Sequence, residues 1–162
     1  MGKKLFILLA MGALALCGYP AIAAGGDSGQ KITRSGDLAT VNGPDSYFTG
    51  EVRVTQLYPA NNKMRSSGGK VTFQPGARSN WHTHPVGQVL LVTEGVGRTG
   101  EWGKPVQEIR AGDVIVCPAG VKHWHGAAPD SAMTHISICE ETEPGKVVEW
   151  LEKVSDDQYN QQ

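Results

Sequence analysis

From about residue 50 onward, apolar residues fall in short bursts alternating with polar ones. Val52-Arg53-Val54-Thr55 and Val71-Thr72-Phe73 have the period of two that an antiparallel strand shows when one face is buried. The same reading places strands at about 51–58, 70–74, 88–93, 105–109, 113–117 and 133–139, with Gly, Pro or Asn between most of them. Strand spacing of this kind predicts an all-β sandwich or barrel. One segment departs from the pattern. Val147, Trp150, Leu151 and Val154 stand at i, i+3, i+4 and i+7, which predicts a short C-terminal amphipathic helix entered through Pro144 and packed on the barrel's outside. Ser155 to Gln158 has the spacing of a capping box, although so near the terminus it reads as a polar tail.

The first residues carry a different signal. Lys3 and Lys4 precede an apolar run from Leu5 to Gly18 that is short for a membrane span, and Ala21-Ile22-Ala23 supplies the small residues of a cleavage site. Residues 1–23 are therefore expected to be a signal peptide, and the mature chain to be periplasmic or secreted. Leu16, where a lipobox needs a small residue, argues against lipidation at Cys17. Residues 24–46, Gly-rich and without periodicity, read as a flexible lead-in to a domain spanning 47–162.

Composition sharpens this picture in two places. A chain of 162 residues has room for one domain with a proper core, and its 21 Gly and 9 Pro suit many tight turns. The net charge of −1 becomes mildly more acidic once cleavage removes two basic residues, which excludes an electrostatic case for nucleic acid or, after cleavage, for a membrane. A small-molecule substrate and a homo-oligomer are the expected partners. Cys117 and Cys139, both in predicted strands, read as small buried residues rather than as a bridge.

The chemistry lies in histidine, because all five of the chain's histidines fall between positions 82 and 135. His82 and His84, two apart, point to one face of an extended strand and can share an ion. Gln88 keeps that parity if the strand resumes in register after Pro85-Val86-Gly87, and its amide oxygen is a fourth ligand. His123 follows the turn Pro118-Ala119-Gly120, which a hairpin would bring back against the first pair. Imidazole donors suit Mn, Fe, Co, Ni, Cu or Zn. His125 shares the parity of His123. His135, Ser137 and Cys139 form one face of the last strand, with Ile136 and Ile138 on the other. His135 and His125 are therefore the candidates for proton transfer. Trp81 and Trp124 read as packing, and Arg78 as a surface or turn residue.

Two longer stretches carry a family resemblance. Gly76 through His82-Thr83-His84 and Gln88 to Gly95 resembles the first cupin motif, with Gln88 in place of its acidic ligand, and Gly112 through Pro118-Ala119-Gly120 to His123 resembles the second, with Ala127 where Asn is usual. The run from Tyr47 to His135, with Val148-Glu149-Trp150 and Asp157-Gln158-Tyr159, is similar to bacterial cupins of the (R)-hydroxynitrile lyase type. The resemblance implies a jelly-roll barrel, a metal held by His82, His84, Gln88 and His123, Mn first and Fe, Zn, Co or Ni as alternatives, and cleavage or formation of cyanohydrins. Cys139 stands where such lyases carry Gln. A metal-dependent dioxygenase or oxidase, and a non-catalytic metal or ligand binder, are the competing functions.

Overall fold

The computed structural model describes residues 29–143 and 145–161, so the expected signal segment, Cys17 and Pro144 lie outside the described residues. The chain divides into Met1–Ile32 and a compact unit, Thr33–Gln162. Among the described residues of that unit are twelve strands and one short α-helix: β1 (Thr40–Asn42), β2 (Phe48–Thr49), β3 (Val52–Tyr58), β4 (Ser66–Phe73), β5 (Arg78–Ser79), β6 (His82–Thr83), β7 (Gln88–Glu101), β8 (Gln107–Arg110), β9 (Val114–Cys117), β10 (His123–Ala127), β11 (Met133–Glu140), β12 (Glu149–Trp150) and α1 (Asp156–Tyr159).

Every pairing is antiparallel, and β7 links the two sheets. Its first residues, Gln88 to Leu91, lie between β9 and β11, while Val96 to Glu101 lie beside β8 and β10. One sheet thus runs β1-β3-β4-β11-β7-β9, and the second is built on β10 with β2, β5, β6, β8 and β12. The passage between sheets falls at Gly95, whose φ is +75°, and a Cβ there would overlap the carbonyl of Ala132, so only glycine fits. Next to it the β7–β11 register shifts between Thr134 and His135. The sheets close over Phe48, Val52, Phe73, Val92, Ile109 and Met133, the main core. This is the expected barrel.

The predicted strands recur as β3, β4, β7, β8, β9 and β11, with β7 running well past its expected end. Within the stretch read as a flexible lead-in, β1 pairs with β3 through Val41 opposite Val54. The expected helix through Val147–Val154 is not present. Residues 149–150 form β12, which pairs with β6, and the apolar side chains serve two different cores, Trp150 against Phe48 and Val154 against Trp81 and Trp124. Tertiary pairing overrides a four-residue helical pattern. The helix lies instead at α1, where Ser155 and Gln158 form a complete capping box, so the stretch read as a polar tail is structured.

Arg78 is a second correction. Instead of lying at the surface it is buried, donates to the Val154 carbonyl from Nε and Nη2 (3.2 and 3.0 Å), pairs with Asp156 at 2.6 Å and stacks over Tyr159. It ties the C-terminal segment to β5. Trp81 and Trp124 are buried in that second core, as packing residues.

Candidate metal centre and active site

Short strands bring the histidines together. β6 and β10 pair with His82 directly opposite His123, and the two rings are 4.3 Å apart. His84, just beyond β6, lies with its ring 5.2 Å from that of His82 and 5.6 Å from that of His123. Gln88 arrives by another route than strand parity. The chain leaves β6, turns at Gly87 with φ +105°, and enters β7 in the other sheet, so Gln88 reaches the histidines from across the barrel. Its Oε1 lies 3.1 Å from His123 Nε2. All four side chains are buried.

The backbone sets which nitrogen each ring offers. Nδ1 of His82 faces the Asn80 carbonyl at 2.9 Å, Nδ1 of His84 the Val147 carbonyl at 2.6 Å, and Nδ1 of His123 the Val121 carbonyl at 2.9 Å. A carbonyl only accepts, so each Nδ1 carries the proton and each Nε2 presents a lone pair. Nε2 of His84 is buried without a hydrogen-bond partner. Gln88 Oε1 and His123 Nε2 are then two acceptors in contact, an arrangement that a cation between them relieves. Burial moves every ring of the group away from protonation. His84 is pushed down to about 4, and His123 is lowered for the same reason. His82 falls well below its ordinary 6.5 through burial and then the neighbouring rings. Neutral imidazoles whose lone pairs converge are what a divalent transition metal requires.

His125 and His135 complete the cluster. The ligand atoms of His82, His123 and His125 lie within 4.8 Å of one another, so the tightest group joins two of the expected ligands with His125 rather than with His84, whose ring stands 5.2 and 5.6 Å from those of His82 and His123. His125 Nδ1 is 3.1 Å from His135 Nε2, while His125 Nε2 and His135 Nδ1 are buried without partners. Burial pushes His135 down to about 4 and His125 well below its ordinary value.

Beside the cluster is a cavity of about 250 Å³, lined by the apolar Phe48, Val54, Val71 and Trp150 and by His135, Ser137 and Cys139. Sequence reading missed the apolar half. Phe48 lay at the expected domain edge and Trp150 on a helix that does not form, so neither carried a signal toward the site. Gln88 Nε2 donates to Ser137 Oγ at 2.9 Å and approaches Cys139 Sγ at 3.6 Å, which directs its oxygen to the histidines. Cys117 and Cys139 are both free. They pair with Gln88 from opposite sides, which sets them about 10 Å apart, beyond the reach of a disulfide.

A double-layered antiparallel barrel with imidazoles converging inside it defines a cupin. The chain belongs to that family: the Cupin domain matches residues 69–139. Over 129 residues it is 50% identical to an (R)-mandelonitrile lyase of Granulicella tundricola, covering 80% of this chain and 98% of that protein. A cupin-like protein of Thermotoga maritima is 43% identical, with a TM-score of 0.69 over 73% of this chain and 89% of its own. The polyketide cyclase RemF of Streptomyces resistomycificus shares the fold at 16% identity, with a TM-score of 0.62 over 80% of this chain and 90% of its own.

Proposed function

We propose that this protein is a metal-dependent hydroxynitrile lyase that splits a cyanohydrin into a carbonyl compound and hydrogen cyanide, or joins them. The observation that carries the reading is the convergence of three backbone-oriented imidazoles and a carboxamide beside a largely apolar cavity bearing a second pair of histidines. The 50% identity to a mandelonitrile lyase across almost the whole of that protein supports it.

His82, His84, Gln88 and His123 would hold the ion, with Mn the first candidate. A divalent ion held by four neutral ligands keeps its full charge and supplies Lewis-acid polarisation of a substrate oxygen and stabilisation of a departing anion. The remaining work belongs to the chain. Phe48, Val54, Val71 and Trp150 receive the substrate's hydrocarbon portion and keep water out. A lone pair of the His125–His135 pair takes the hydroxyl proton, the carbon–cyanide bond breaks with its electron pair leaving on cyanide, and the new carbonyl forms from the oxygen. The imidazolium then returns its proton to cyanide, so hydrogen cyanide departs and the pair is neutral again. Low proton affinity suits this second step, because a ring that titrates near 4 gives its proton up readily.

Assay of cyanide release from mandelonitrile by the Mn-loaded protein, with oxygen uptake followed in parallel, tests the reading. Release well above that of free Mn, without oxygen consumption, is expected. A rate no faster than free Mn would overturn it, and oxygen uptake with a chelating substrate would establish a dioxygenase instead.

A further inference from the structure

Strand β4 brings to the cavity a hydroxyl that the proposed reaction does not use. Ser67, Gly69 and Val71 are alternate residues of that strand, so they share one face, and all three line the cavity. Register sets each opposite a residue of β11: Ser67 pairs with Cys139, Gly69 with Ser137 and Val71 with His135. Cys139 also pairs with Gln88 on β7, so a line from Gln88 across β11 ends two strands away at Ser67, about 10 Å at the usual strand spacing. Gln88 Oε1 meets the histidines, and that end of the line holds the reacting groups. A substrate seated there extends over Ser137 and Cys139 toward β4.

The far end of the line is open and carries a free polar group. A Cβ on Gly69 would meet no atom closer than the Thr55 carbonyl at 3.8 Å, so the missing side chain is space that a ligand can fill. Its neighbour Gly68 is different, because the Tyr58 ring lies against it on the opposite face. Ser137 Oγ is engaged by Gln88 Nε2 at 2.9 Å and by Cys139 Sγ at 3.5 Å. The half-buried Ser67 Oγ, by contrast, makes no hydrogen bond among the described residues. Phe48 and Trp150, packed edge to face with centroids 5.6 Å apart, add flat aromatic surface to the same cavity.

We propose that the substrate is an aromatic cyanohydrin whose ring carries a hydroxyl group remote from the reacting carbon, and that Ser67 receives this hydroxyl while the ring fills the space over Gly69. A serine hydroxyl both donates and accepts, so it pairs with a phenolic O–H in either sense. An unsubstituted ring would cover Ser67 Oγ without pairing it, and the hydration lost there would count against binding. A site with one polar group among apolar walls selects by that group. The inference deepens the lyase reading and rests on it for the identity of the reacting end.

Titration calorimetry of the Mn-loaded full chain with benzaldehyde and with 4-hydroxybenzaldehyde, the aldehydes of the plain and hydroxylated cyanohydrins, tests it. The hydroxylated aldehyde is expected to bind about 3- to 10-fold more tightly, the worth of one neutral hydrogen bond. Ser67→Ala should bring the two dissociation constants together within about twofold, and Gly69→Val, which fills the far end, should weaken both aldehydes with metal content unchanged. Equal affinity in the wild type, or a preference that survives Ser67→Ala, would overturn the proposal. Calorimetry reads binding and not cleavage, so the two readings fail separately. A Ser67-dependent preference in a protein that releases no cyanide would sustain the hydroxyl site and overturn the lyase, and cleavage of mandelonitrile without that preference would do the reverse.

Discussion

His135 Nε2 and His125 Nδ1 face each other at 3.1 Å inside the barrel, and only one proton fits between them. If His135 donates, its Nδ1 is a bare lone pair. If His125 donates, the lone pair is its own Nε2, beside His82 and His123. Either way the pair offers one basic nitrogen and one N–H, the equipment of a proton acceptor and donor.

Removing half of that pair should therefore stop proton transfer without emptying the metal centre. His135→Ala, and His135→Gln as a polar replacement, are expected to lower cyanohydrin cleavage about 10²- to 10⁴-fold with metal content unchanged. Steady-state kinetics alongside elemental analysis checks both halves of the expectation, and an undiminished rate would remove His135 from the mechanism.

Where the sequence was legible, it was through local pattern. Val52–Tyr58 and Met133–Glu140 read as strands because alternation over seven or eight residues admits little else. The histidines were visible by their concentration, and their ring orientation was not. It depends on the carbonyls of Asn80, Val121 and Val147, which no side-chain pattern reveals. The strands β5, β6 and β12 are two residues each, too short for any periodicity. Arg78 was misplaced because its partners, Val154, Asp156 and Tyr159, lie some 76 residues or more along the chain, and an arginine is exposed by default.

Stability should follow the buried rings. Unfolded, His84 and His135 take a proton near 6.5, whereas folded they stay neutral down to about 4. Between those values the unfolded chain binds more protons, so the stability these groups contribute is whole above pH 6.5 and is lost as pH falls toward 4. For the fully buried His135 the difference is roughly 3 kcal/mol. The melting temperature of metal-free protein is expected to hold steady from pH 8 to 7 and to drop steeply through pH 6 to 4.5. A flat profile across that window would contradict the buried, neutral state of these histidines.

Arg78 predicts a purely structural effect. Arg78→Met removes the donors that satisfy the buried Val154 carbonyl, the pairing with Asp156 and the contact over Tyr159. The Asp156 partner is largely exposed and adds little, so the cost comes from the unsatisfied carbonyl and the lost stacking, about 2–4 kcal/mol. Urea denaturation should show a lower midpoint with the metal still bound in the folded protein, and a change below about 0.5 kcal/mol would refute the tie between β5 and the C-terminal segment.

Elemental analysis of protein purified without chelator tests the metal centre, on which the rest depends, most directly. The account predicts close to one transition-metal ion per chain in the wild type and its loss in His82→Ala and in His123→Ala, both still folded. Full retention of the ion in both variants would contradict it.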